Sequence, residues 1–107
     1  MTPYAVCLVT VPNRAQARRI ARSLVQERLA ACVNIVPGVE SIYQWKGKME
    51  RSRELLLMIK TSRSKVKALV RHVKRVHSYS VPEVLSLNIV DGNLDYLKWI
   101  QDCVSGK

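Results

Sequence analysis

No apolar run in this chain approaches the roughly 20 residues that a helix needs to cross a bilayer. Aliphatic stretches such as Leu55 to Ile59 are short, which excludes a spanning helix. The opening residues Met1-Thr2-Pro3-Tyr4 show no basic region, apolar stretch or small-residue cleavage pattern, so the cytoplasm is the expected location. Cysteine is scarce and odd in number: Cys7, Cys32 and Cys103 are widely spaced and form neither a closed disulfide framework nor a CxxC pair. They read as reduced thiols. With four glycines there is no glycine-rich phosphate cradle, and no Ser-His-Asp or paired-carboxylate spacing appears, so no enzyme is expected. Acidic residues are also few, eight against 18 lysines and arginines, for a formal charge of +10. Such a chain attracts polyanions through long-range, salt-sensitive forces, which makes a nonspecific anionic polymer one candidate partner.

What is present is one ordinary globular domain, taken as residues 1–107, with 48% hydrophobic and 24% charged residues. Tyr4 to Val11 is a β-branched, apolar run that Pro12-Asn13 ends, so it reads as a central strand followed by a helix cap. From Arg14 to Ala30, Ala17, Ile20, Ala21, Leu24 and Val25 recur at helical spacing, while Arg14, Arg18, Arg19 and Arg22 fall mainly elsewhere. Cys32 to Trp45 reads as a long strand with a bulge or bend at Pro37-Gly38, and Lys46-Gly47-Lys48 as its hairpin turn. Met49 to Thr61 returns antiparallel, with Leu55 to Ile59 expected to be buried on both faces. Ser62 to His77 carries Val66, Leu69, Val70, Val73 and Val76 on one stripe among basic residues, with Ser62 or Thr61 as cap. Pro82 to Val90 is a fourth strand and Leu94 to Cys103 a short last helix, with Tyr96, Trp99 and Ile100 as its buried stripe.

The order β-α-β-β-α-β-α gives an α+β fold of ferredoxin-like type, an antiparallel four-stranded sheet with both long helices on one side. Strand two would extend roughly 45 to 50 Å at about 3.3 Å per residue, whereas the helices reach only about 24 to 27 Å. The hairpin tip therefore overhangs, carrying Ile42, Tyr43, Trp45 and Met49, which a monomer could not fully cover. A homo-oligomer built by hairpin exchange is expected. An RNA-recognition module shares the strand order but needs stacking aromatics where Glu54-Leu55-Leu56-Leu57-Met58-Ile59-Lys60-Thr61 supplies aliphatics, so any nucleic-acid binding would be nonspecific.

The segments LAACVNIVPGVESIYQWKGK, ELLLMIKT, HSYSVPEVLSLNI and GNLDYLKWI run in order over nearly the whole chain. Together they resemble the CutA family. The resemblance implies a ferredoxin-like subunit in a homotrimer whose long hairpins pair with neighbours, with pockets at the subunit junctions. For bacterial members it implies divalent-metal tolerance and copper binding. For animal members it implies a protein-partner role in anchoring and processing acetylcholinesterase. No reaction is implied.

The resemblance places His77, Tyr79 and Glu83 near the intersubunit cleft, with Lys60, Tyr43 and Trp45 as further pocket residues. Imidazole, carboxylate and thiolate bind copper or zinc, so His77, Glu83 and Cys32 are the candidate metal ligands, for a metal that folding does not require. The bland alternative makes His77 a cationic helix terminus, Tyr79 and Glu83 turn-stabilising groups, Cys32 a small buried hydrophobe and the two hairpin aromatics interface packing. In metal-binding relatives a cysteine near the end of strand one and a His-His pair are implicated. The corresponding places here hold Val9 and Val76-His77, with Cys7 on the same face as Val9, and Ser78 replaces the proline of the common HPY form.

Overall fold

The structure is a computed structural model and describes residues 2–106. The four strands are β1 (Tyr4–Val11), β2 (Cys32–Trp45), β3 (Lys48–Ser62) and β4 (Leu85–Asn88). The helices are α1 (Arg14–Gln26), α2 (Val66–Val76) and α3 (Leu94–Ser105). The sheet order is β2-β3-β1-β4 with every neighbour antiparallel, the ferredoxin-like arrangement. Side-chain alternation decides what the sheet does. Ala5, Cys7, Val9 and Val11 of β1 pair with Thr61, Ile59, Leu57 and Leu55 of β3. This face is closed by Ala17, Ile20 and Leu24 of α1 and Leu69 and Val73 of α2.

Helix α1 starts where expected, because the Asn13 side chain accepts a hydrogen bond from the Gln16 backbone N–H at 2.8 Å. It stops at Gln26, four residues earlier than the periodicity to Ala30 suggests. Arg28 adopts φ 57°, and the Arg28 and Leu29 N–H groups fold back onto the Val25 and Leu24 carbonyls at 3.1 and 2.9 Å. This Schellman closure is built around an arginine rather than a glycine. The second helix also differs from expectation. β3 extends through Ser62, a 3-10 turn covers Arg63–Lys65, and neither Thr61 nor Ser62 caps α2. The Thr61 hydroxyl instead donates to the Leu29 carbonyl at 2.7 Å, tying β3 to the chain leaving α1.

The bend at Pro37-Gly38 is a register shift between Val36 and Val39, with Gly38 at φ 77°. The hairpin turns on two residues, Lys46 and Gly47, both at positive φ, so Lys48 already belongs to β3. The ladder between Pro82 and Val90 shortens to Leu85–Asn88, on the sheet edge, where an N–H-lacking proline cannot extend it. Leu55 to Ile59 is not buried on both faces: Leu57 and Ile59 are enclosed, whereas Leu56 and Met58 are half-exposed. Among the described helices α3 alone reaches this second face, at one end, through a small cluster of Leu97, Ile100 and Val104 with Ala31, Tyr4 and Ile89. The buried stripe of α3 is therefore Leu97, Ile100 and Val104, and Tyr96 and Trp99 stay about two-fifths exposed (41% and 43%). The overhang is real: the chain measures 45 × 26 × 23 Å, and Ile42 and Met49 at the tip are 66% and 77% exposed.

Candidate functional site

A cavity of about 610 Å³ opens between the hairpin and the segment 79–83. That size falls within the range of small-ligand sites. Tyr43 and Trp45 come from β2, Glu54 from β3, Thr10 from β1, and Tyr79, Val81 and Glu83 from the segment ahead of β4. Among the described residues its lining includes two carboxylates and no lysine, arginine or histidine.

Glu54 lies in the same alternation as Leu56 and Met58, on the sheet face away from α1 and α2, and is buried at 7% exposure. Its Oε2 accepts a hydrogen bond from the Tyr79 hydroxyl at 2.9 Å. Burial pushes the Tyr79 phenol up to about 12, with the Glu54 hydrogen bond and charge adding to it. Tyr79 thus keeps its proton, and its donor role, throughout the physiological range. Glu83 is pushed above the usual carboxylate range, first by desolvation and then by the charge of Glu54. The Tyr43 hydroxyl sits 2.8 Å from the Ser52 hydroxyl, which holds this ring against the hairpin.

The segment is held to the sheet by a short relay. Gln16 is buried on α1; its side chain donates to the Ser78 hydroxyl at 2.9 Å and accepts from the Ser78 N–H at 3.0 Å. The Ser78 N–H, absent from a proline, is thus in use. His77 follows α2 and is buried. Its Nε2 is 2.8 Å from the Thr10 carbonyl, which can only accept, and its Nδ1 accepts from the Tyr79 N–H at 3.0 Å. The ring is therefore the Nε2–H tautomer with Nδ1 bare, not the cationic helix terminus considered from sequence.

Of the sequence-derived site residues, the structure brings Tyr43, Trp45, Tyr79 and Glu83 to the cavity wall. His77 stands behind it, supporting Tyr79. Lys60 and Cys32 are cross-strand partners elsewhere. Lys60 is six residues along β3 from Glu54, about 20 Å at strand spacing. Cys32 is half-buried and faces α3, where its thiol, after burial itself, contributes to the raised Tyr96 phenol. Among the described residues no group of three or more His, Cys, Asp or Glu side chains is placed to hold a metal ion. Cys7 is enclosed beneath the helices, and burial pushes its thiol up.

Sequence reasoning missed Glu54 and Gln16. The signal for Glu54 was an acid opening the aliphatic run ELLLM at an in-register position; Gln16 had none beyond its place after the helix cap. His72 was also missed. It is buried between the helices, with Nε2 2.8 Å from the Ser23 hydroxyl and Nδ1 3.1 Å from Arg75. Arg75 can only donate, so Nε2 carries the proton and His72 cannot serve Ser23 as a base.

Strand order, helix placement and a cavity beside an overhanging hairpin define the class: a ferredoxin-like α+β protein with an acidic, aromatic-walled cavity. The family model described as CutA1 divalent ion tolerance protein matches residues 5–103. Among curated relatives, the Xenopus laevis protein CutA homolog is 57% identical over 90% of this chain and 64% of its own length. The chloroplastic protein CutA 1 of Oryza sativa is 53% identical over 94% of this chain and 56% of its own length. The chain thus spans little more than half the length of these relatives. The solved divalent cation tolerance protein from Thermus thermophilus superposes with a TM-score of 0.89 at 50% identity, covering 91% of this chain and 94% of that one. The chain belongs to the CutA1 divalent ion tolerance family. Among the described residues no helix is long and apolar enough to cross a membrane.

Proposed function

We propose that this protein is a non-enzymatic, cytoplasmic homotrimer that takes up a divalent cation or a small cationic ligand in the cavity walled by Glu54, Glu83, Tyr79, Tyr43 and Trp45. The observation that carries this reading is electrostatic. In a chain of charge +10, this cavity gathers two carboxylates without a basic side chain in its wall, and Glu83 is pushed up first by burial and then by the charge of Glu54. A cation entering the cavity relieves that repulsion.

The residues fit a metal in part. Carboxylate and phenol oxygens suit the harder divalent ions, whereas copper favours imidazole or thiolate. His77 already uses both ring nitrogens, and Cys32 belongs to the far end of the sheet. The described residues of one copy offer fewer than three grouped ligands, so a metal would need donors from a neighbouring copy or from water. The apolar hairpin tip and the open sheet face support assembly: Val36, Leu85 and Leu87 are exposed there beside half-buried Leu8 and Met58.

The test is calorimetric titration of the purified protein with Mn²⁺ and, separately, Cu²⁺. Binding should strengthen as pH rises from about 4.5, because Glu83 must lose its proton to receive a cation. Glu54→Gln should weaken it at least tenfold. Binding that is indifferent to both pH and Glu54→Gln contradicts the cavity assignment.

A further inference from the structure

The helical layer carries a surface that the cavity reading does not use. Residues 13–31 hold five of the 18 lysines and arginines and residues 62–78 hold six, against a single carboxylate, Glu27. Helical periodicity turns Arg18, Arg19 and Arg22 of α1 and Lys67, Arg71 and Lys74 of α2 away from the buried stripes, and all six are exposed. Helices α1 and α2 are neighbours, tied by the His72–Ser23 hydrogen bond, so the two rows form one continuous basic face. The ion pairs among the described residues, Arg51–Glu40 and Lys98–Asp102, both lie off this face.

Helix stability accounts for Lys74 and Arg75, in the last turn of α2, and not for the rest of the pattern. Arg14 stands in the first turn of α1, where the macrodipole disfavours cations, and neither α1 nor α2 has an acid in its first turn; Arg18, Arg19, Arg22, Lys67 and Arg71 lie where the dipole does not reward a cation. Arg14/Arg18, Arg18/Arg22, Lys67/Arg71 and Arg71/Arg75 are like-charged pairs at four-residue spacing, each destabilising by roughly 0.2–0.5 kcal/mol. Local choices that cost stability without a structural return point to a partner that supplies the missing negative charge.

We propose that the α1–α2 face is a docking surface for the phosphate backbone of double-stranded nucleic acid, bound without sequence preference. Arginine predominates, and its planar fork matches phosphate oxygens. Single strands fit less well, because the exposed rings Tyr43, Trp45, Tyr96 and Trp99 all lie outside the two helices and leave no stacking platform on this face. A membrane surface fits less well too. The apolar stripes of both helices are sealed in the core, and Val25 is the one exposed large hydrophobic residue in α1 or α2.

The experiment is fluorescence anisotropy of a 30-base-pair mixed-sequence DNA duplex with the wild-type protein across a salt series. A face variant (Arg18→Gln, Arg22→Gln and Arg71→Gln) is compared with a control of equal net charge (Lys46→Gln, Lys48→Gln and Arg53→Gln). Thermal unfolding confirms that both are folded. The proposal expects salt-sensitive wild-type binding, a loss of tenfold or more in the face variant, and a log–log salt slope shallower by about 2 to 3, at about 0.9 per phosphate contact. The control should lose no more than about threefold, an order-of-magnitude allowance for long-range steering alone. Absence of wild-type binding at low salt, equal losses in the two variants, or tighter binding to anionic phosphatidylserine vesicles or a single strand than to the duplex would overturn it.

Discussion

The two faces of the sheet are treated oppositely. On one, Cys7, Val9, Leu57 and Ile59 are sealed under α1 and α2. On the other, Leu8 and Met58 are half-exposed, and Leu85 and Leu87, their neighbours across β1, stand 53% exposed. Both faces are apolar in sequence, so composition alone does not distinguish them. Helix supply does: α1 and α2 both return to the first face, and α3 reaches only the end of the second. The lesson is that the folding core and the apolar face left open by the helices share one set of strands, separated by the two-residue alternation of the backbone. The acidic cavity belongs to the second face, beside the overhanging hairpin.

Substitutions on the two faces should have opposite consequences. Leu57→Ala should lower unfolding free energy by about 2–5 kcal/mol, at every protein concentration, because it opens a cavity in a sealed core. Leu85→Asp with Leu87→Asp should instead reduce assembled mass and make the apparent unfolding midpoint concentration-dependent. Sedimentation and denaturant titration read both effects, and an unchanged assembled mass in the aspartate variant would refute the second. Next in size is Tyr79→Phe. It strips buried Glu54 of its phenol donor and should cost about 1–3 kcal/mol in the same titration. Gly47→Ala forces an alanine into the φ 79° half of the hairpin turn and should cost about 1–2 kcal/mol while leaving the α1–α2 core untouched.

The smallest effects are in pH dependence. Burial, then Arg75, holds His72 below its usual value, so the unfolded chain takes up the proton first. Its contribution is full above about 6.5 and is lost as pH falls below that, toward the lower folded value. Glu83 has the opposite sign: its folded value is raised, so its ionisation removes stability as pH rises through the interval above 4.5. Unfolding curves at a series of pH values should therefore flatten below 6.5 in His72→Gln and above 4.5 in Glu83→Gln.

Much of the architecture was legible because it rests on short-range rules. Alternation in Tyr4–Val11, the Asn13 cap, the Pro37-Gly38 bulge and the tight hairpin turn each express a local preference that the tertiary structure keeps. The misreadings share a different cause. Thr61 and Ser62 have the chemistry of a helix cap, yet Thr61 is taken by the Leu29 carbonyl, 32 residues away in sequence. Tyr96 and Trp99 have the hydrophobicity of a core stripe, but the short α3 meets only one end of the sheet. The site was half legible for the same reason. The hairpin aromatics and the residues around Pro82 stand out in sequence, whereas Glu54 gains meaning only when Tyr79 is brought to it, and the ladder sets Lys60 and Cys32 apart from this cavity within the chain.

The most direct test of the central claim, an acidic cavity completed by assembly, is native mass spectrometry of the wild-type and Glu54→Gln proteins with and without added Mn²⁺. A trimer is expected in both proteins, with stoichiometric cation uptake by the wild type and loss of uptake in the variant. A monomer, or uptake equal in the two proteins, would contradict it.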